Sequence, residues 1–333
     1  MAARVTIRDV ASAAGVSVAT VSRVLNGHPG VGPGLAKRVQ KAAQSLGYVP
    51  DPAGRALRRQ VADMWNVIVP DFHAFFTAVI DTVEGVAMEQ GIAVLVSNTR
   101  ASLEYERRYI AAASAHRAAG AIVAVVSEHE SDVSPLLEGG APVVLLDRRV
   151  DSFKGDTVLL DNHLAGRLVA EHLLGQGFRN MACITGPAAV SATEERLQGF
   201  ADALATAGRP LDPAHIVHAD LEPAAGRQAM RSLLAGPNPP EAVYADAVSL
   251  TLGSFQALAE RPVGSPPVAL AGQDDDLWTE LVRPAVTVVR QPVADLGKVA
   301  ASQLLARMAG DDAPASLKVL PPELVVRESS LRV

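Results

Sequence analysis

The chain runs to 333 residues, 49% hydrophobic and 20% charged, which rules out a disordered chain and fits one large two-lobed unit plus a small module, or two to three medium domains. Its net charge of −6 argues against a nucleic-acid partner only if it is evenly spread, and it is not. The first 60 residues hold nine basic side chains against two acidic ones, and the remainder 21 against 34, so attraction for phosphate concentrates in a basic head on an acidic body.

At the N-terminus Arg4, Arg8 and Asp9 interrupt the place where a secretion signal needs an apolar segment, and no apolar run approaches bilayer length; a cytoplasmic protein with no membrane partner is expected. Thr6 caps a predicted helix with Ile7, Val10, Ala11 and Ala14 at helical spacing, and Gly15 ends it. Ser17 caps a second, carrying Val18, Val21, Val24 and Leu25, which Asn26 and Gly27 close. Two short helices around a glycine turn form a helix-turn-helix unit. A third helix starts near Pro33 and runs to Leu46, with Leu35, Val39, Ala42, Ala43 and Leu46 inward and Lys37, Arg38 and Lys41 off that face. Spacing alone also allows any small helical bundle with a solvated basic face. Next, Asp51 caps and Pro52 opens a short helix with Leu57 among Arg55, Arg58 and Arg59, too short to be stable alone.

From residue 64 apolar runs alternate with helical patterns. Runs at 67–69, 92–96, 121–126 and 143–146 are separated by helices such as the one carrying Phe76, Val79, Ile80, Val83 and Ala87. A second series follows: a helix from Asn162, a run at 181–185, a helix at 197–207, and runs or helices at 242–244, 250–258 and 268–271. Continuous β-branched runs between amphipathic helices indicate parallel strands covered on both faces, and two series indicate two α/β lobes with a ligand cleft at the carboxyl ends of their strands. The single cysteine, Cys183, lies in an apolar run, excludes an internal disulfide and reads as a buried structural thiol.

TIRDVASAAGVSVATVSRVLNG (6–27) followed by LGYVPDPAGRALRR (46–59) resembles the head and hinge of the LacI/GalR family of bacterial regulators. VPDFHAFF (69–76), LLDRR (145–149), RLQGF (196–200), AGQDD (271–275) and VTVVRQPVADLGKVAASQLL (286–305) extend the resemblance over nearly the whole chain. It implies a lambda-repressor-like all-α helix-turn-helix head at 1–50, a hinge at 51–62, and a doubly wound, periplasmic-binding-protein-like body at 63–333. The lobes would comprise 63–160 with 292–320, and 161–291 with 321–333, the chain crossing near 160, 290 and 320.

The resemblance further implies that the second helix enters the major groove with Val18, Ala19 and Arg23 at base-reading positions. Ser17, Thr20 and Ser22 would contact phosphates or base edges, with Thr6 and Asn26 as further DNA contacts. Arginine can pair bidentately with guanine, whereas valine and alanine can only touch apolar groups such as a thymine methyl; Val18 could instead pack within the head. In the hinge, Arg55 and Leu57 would reach DNA, Leu57 as a minor-groove wedge. Gly54 stands where alanine is usual and weakens that helix by about 1 kcal/mol.

Carried over position by position, the effector contacts are Phe76 as a stacking surface, Asp147, Arg148, Arg196, Leu221 as an apolar wall, Val248 and Asp274. Phe76 could equally be core, and Arg196 with Asp274 a mere interlobe pair. Ala247 and Val248 stand where the family commonly has Asn-Asp, and 188–192 is apolar, which predicts an effector less hydroxylated than a simple sugar, or one recognised differently.

No histidine stands in metal-ligand spacing, 128–130 reads as a solvated loop, 274–276 as an acidic loop run, and no nucleophile, phosphate or dinucleotide motif follows a strand. No cofactor, metal or catalytic group is expected. The leading reading is a homodimeric repressor on a pseudo-palindromic operator in double-stranded DNA, controlled by a small-molecule effector such as a sugar, a nucleoside or a related metabolite. The rival is a ligand-binding or enzymatic α/β protein with an unrelated basic N-terminus.

Overall fold

A computed structural model describes residues 5–25, 31–48 and 64–332; Asn26 with its closing turn and the hinge with Arg55 and Leu57 lie outside these. The chain divides into two compact units, Met1–Ala62 and Asp63–Val333. The first contains α1 (Ile7–Ala14), α2 (Val18–Leu25) and α3 (Pro33–Ser45). Its core is small: Val10, Ala11, Ala14, Val21, Val24, Val39, Ala42 and Ala43. Gly15, at φ +62°, adopts the left-handed conformation that ends α1. The Asp9 carboxylate accepts from both the N–H and the hydroxyl of Thr6, at 2.8 and 2.7 Å, tying down the helix start. Leu46, expected inward, is 37% exposed because α3 stops at Ser45 and the chain turns at Gly47.

In the second unit β1 (Met64–Val69), β2 (Ala93–Asn98), β3 (Gly120–Val123), β4 (Val143–Leu146) and β5 (Asp156–Leu160) belong to one sheet. β6 (Met181–Thr185), β7 (Ile216–His218), β8 (Ala242–Ala245), β9 (Ala269–Gln273) and β10 (Thr287–Arg290) belong to another. β11 (Leu317–Leu320) returns to the first, giving the order β11-β5-β4-β3-β1-β2, and β12 (Glu323–Val325) to the second, giving β12-β10-β9-β8-β6-β7. Every pairing is parallel except β10 with β12. The chain therefore passes between lobes after β5, after β10 and after β11.

The interleaved helices are α4 (Ala74–Glu89), α5 (Leu103–Ala115), α6 (Ser134–Glu138), α7 (Asn162–Gly175), α8 (Ser191–Thr206), α9 (Pro223–Ala235), α10 (Val248–Ala259), α11 (Leu277–Leu281) and α12 (Val293–Met308). They cover sheets whose central strands are buried throughout, the arrangement that parallel strands require. α12 packs on α4 and on β3 to β5, so it belongs with the first lobe although it follows β10. Cys183 is fully buried in β6, and burial pushes its thiol well above the ordinary value, so it is inert packing. Among the described residues no helix is long and apolar enough to cross a membrane.

Candidate functional site

The head presents one helix face to solvent. α2 turns Val21 and Val24 into the core and leaves Val18, Ala19 and Arg23 exposed, with Ser17 exposed just before it and Thr20 and Ser22 half-buried. The Ser17 hydroxyl accepts from the Thr20 N–H at 3.1 Å and lies 2.9 Å from the Thr20 hydroxyl, which sets the helix start and holds two polar groups beside that face. Val18 is 41% exposed, so the alternative in which it packs within the head does not hold. Arg8, Lys37, Arg38 and Lys41 are exposed as well. Thr6, exposed, has its hydroxyl engaged by Asp9, whose carboxyl the Thr6 N–H and hydroxyl hold below the ordinary range.

In the body, a cavity of about 470 Å³ at the carboxyl ends of both sheets is lined by Phe76, Asp147, Arg148, Arg196, Leu221, Val248 and Asp274 together. Asp147 and Asp274 are counterparts in the two lobes. Each follows a buried central strand, β4 or β9, at φ +67°, and donates its N–H to the next strand, to Val158 at 3.0 Å and Val289 at 2.9 Å. Non-glycine residues held in this conformation concentrate at functional sites. Burial raises both carboxyls. Arg148 and Arg196 oppose that rise at Asp147; Arg196 and the Gln291 amide, donating at 2.6 Å, oppose it at Asp274.

The two guanidiniums are held chiefly by neutral oxygens, with one long ion pair between Arg148 and Asp147. Arg196 is 6% exposed; its Nε donates to Asn162 Oδ1 and its Nη1 to the Asp246 carbonyl, both at 2.8 Å, while Nη2 has no hydrogen bond among the described residues. The Arg148 Nη1 donates to the Val126 carbonyl at 2.8 Å, and its Nε lies 3.7 Å from Asp147. Oriented donors and accepting carboxyls around one cavity can fix a small polar molecule. The alternative in which Arg196 and Asp274 form an interlobe pair is not realised: no ion pair joins them among the described residues, and both come from the second lobe.

Phe76 combines the two readings the sequence left open, lining the cavity while packing in the core. It is 6% exposed and packs in the core with Trp65, Val79 and Val83. Phe75, edge-on to it at 4.9 Å, is the half-buried aromatic wall. Since α4 buries positions 76, 79, 83 and 87, a residue one step out of phase had to face elsewhere, and that signal was in the sequence.

The solvated loop expected at 128–130 is corrected. Glu128 is buried and accepts from the Ser191 hydroxyl across the cleft, beside an Arg149–Glu195 ion pair at 2.6 Å that likewise joins the lobes; His129 remains exposed and pairs with Asp151 at 2.8 Å. Nor is 274–276 a plain acidic run. Asp274 faces the cavity, Asp275 accepts from Arg327 at 2.6 Å and Arg290 at 2.7 Å, and Asp276 leads into α11.

Asp246 was not singled out by the sequence. It follows β8 directly, fully buried, and burial raises its carboxyl from the ordinary 3.8 to about 7 against the opposing pull of Arg196, the Gly186 N–H and His218. Between pH 4 and pH 7 the native chain thus keeps a proton that the unfolded chain releases, so this group's contribution to stability falls as pH rises through that window and levels off above it. Asp246→Asn should leave stability little changed near pH 4 and raise it by about 4 kcal/mol at pH 8. Urea unfolding of both proteins at each pH measures this, and a pH-independent difference would contradict it.

The comparisons with known proteins agree with this architecture. A family model described as "Bacterial regulatory proteins, lacI family" matches residues 6–51, and one for a "Periplasmic binding protein-like domain" matches 170–330. The chain is 32% identical over 326 residues to the HTH-type transcriptional regulator GalR of Escherichia coli strain K12, covering 97% of this chain and 95% of that one. A structure of the transcriptional regulator CelR in complex with cellobiose is 30% identical, with a TM-score of 0.73, covering 98% and 100% of the two chains. The Lac repressor dimer bound to operator and an anti-inducer, 24% identical, superposes with a TM-score of 0.87 over 99% of this chain and 100% of that one, and so shares the fold.

Proposed function

Because the chain belongs to the lacI family of bacterial regulatory proteins, we propose that it is a repressor that grips a pseudo-palindromic operator as a homodimer and changes its grip when a small molecule occupies the interlobe cleft. The observation that carries this reading is the exposed face of α2, where Val18, Ala19 and Arg23 stand free on a helix whose other side is the head's core. The relatives point the same way: GalR is a transcriptional regulator, the CelR complex holds cellobiose, and the Lac repressor dimer holds operator. These relatives are regulators, and we read this chain as a regulator acting in the cytoplasm rather than as an enzyme.

In this reading residues 1–50 bind DNA, 51–62 form the hinge and 63–333 sense the effector. Arg23 reads a base edge, Val18 and Ala19 give apolar contact, Ser17, Thr20 and Ser22 contact phosphates or base edges, and Thr6 and Asn26 are further DNA contacts; Arg55 and Leu57 act from the hinge. Asp147, Arg148, Arg196 and Asp274 hold the effector's polar groups, between Leu221 and Val248. Ligand closing the lobes, which Glu128–Ser191 and Arg149–Glu195 already join, must change operator affinity, and operator must change ligand affinity by the same factor.

Selection of bound duplexes from a random pool, with and without small metabolites, should return a two-fold symmetric site. On that site Arg23→Ala should lose about 1–3 kcal/mol of discrimination at one base pair per half-site, with log affinity falling against log salt by about 0.9 per neutralised phosphate. A full-length protein with no sequence preference in any condition would overturn the reading.

A further inference from the structure

Adjoining the cavity that holds Arg148 and Arg196 is a larger one of about 690 Å³, and the two share Phe75, Leu221, Val248 and Asp274 as walls. Their chemistry differs. The first brings three carboxylates, Asp71, Asp147 and Asp274, together with three guanidiniums, of Arg100, Arg148 and Arg196. That balanced set both accepts from and donates to hydroxyls without favouring a net charge on the ligand. The second is walled by Ala78, Leu252, Trp278 and Val293, and its charged groups are four carboxylates against the single guanidinium of Arg290, which is already engaged by Asp275 and Glu323.

We propose that the effector is an uncharged molecule of two ring-sized parts, a hydroxylated ring held between Asp147, Arg148, Arg196 and Asp274, and a second ring laying an apolar face against Phe75, Leu252 and Trp278. The inference rests on the interlobe cleft being the effector site. A single ring in the first chamber would leave the apolar walls of the second wet, whereas a ligand spanning both removes them from water. The excess of carboxylates around the second chamber disfavours a phosphate or carboxylate on the outer ring. Disaccharides, aryl glycosides and nucleosides share this chemistry, and the probes separate them.

The test is calorimetric titration of the full-length protein with glucose and ribose as single rings, with cellobiose, nitrophenyl glucoside and adenosine as two-ring forms, and with glucose phosphate and adenosine monophosphate as anionic forms. At least one two-ring probe should bind about tenfold or more tighter than its single ring and than any anionic form. Ala78→Trp, which fills the second chamber, and Leu252→Gln, which makes its wall polar, should each erase that preference and leave the single ring's affinity unchanged. If no two-ring probe binds better than its single ring, or if both variants keep the preference, the inference is overturned. Arg196→Gln separates the two levels: it should weaken single-ring and two-ring binding alike, and if it leaves both intact the cleft itself is not the effector site.

Discussion

Arg196→Ala should destabilise the body by about 3–5 kcal/mol and abolish its response to effector. The acceptors that Arg196 serves, Asn162 Oδ1 and the Asp246 carbonyl, belong to buried residues, and each loses its donor in the variant. Orphaning one buried polar group costs about 1–3 kcal/mol. The same guanidinium also offsets the desolvation of Asp147, Asp246 and Asp274, so removing it drives all three carboxyls further toward their protonated forms. Arg196→Lys should recover part of the stability and little of the binding, because one ammonium cannot reach two fixed acceptors and still offer the planar Nη2 edge to a ligand. Denaturant unfolding measures the first quantity and titration with a binding probe the second. A loss below about 1 kcal/mol would show that these acceptors find other donors.

Gly199→Ala should be at least as damaging, about 3 kcal/mol or more, through sterics alone. A Cβ on Gly199 would lie 1.9 Å from the His163 carbonyl oxygen, and one on Gly166 would lie 1.9 Å from the Arg196 carbonyl oxygen. Both obstacles are backbone, so α7 and α8 would have to move apart rather than repack a side chain. Separation would also shift Arg196, one turn from Gly199 on α8, out of reach of Asn162, so the cleft should lose ligand as the core loses stability. Gly85→Ala is the control: Gly85 lies within α4 with nothing within 4 Å of its Cβ position, and alanine there should stabilise by about 1 kcal/mol. Equal effects at positions 85 and 199 in thermal or urea unfolding would remove the close crossing from the argument.

Much of the molecule is legible in the sequence, and where it is not the reasons are specific. The limits of α1 were written in Thr6 and Gly15, and β4 and β6 as unbroken apolar runs, because capping and burial on both faces are local demands on residue type. The motifs around Asp147, Arg196 and Asp274 picked out residues that do line one cavity. β7, β11 and β12 escaped notice because each is three or four residues long and carries few buried side chains, so neither alternation nor an apolar run marks them.

What the sequence alone determined, then, was a basic three-helix head, two α/β series and the polar groups available to a cleft, since these follow from periodicity, capping and charge along the chain. Only the tertiary structure decided that Glu128 is buried against Ser191, that Asn162 and Asp246 rather than Asp274 hold Arg196, and that a second chamber with apolar walls adjoins the first. Each of those depends on residues far apart in the chain meeting at the carboxyl ends of two sheets, a juxtaposition that no local pattern encodes.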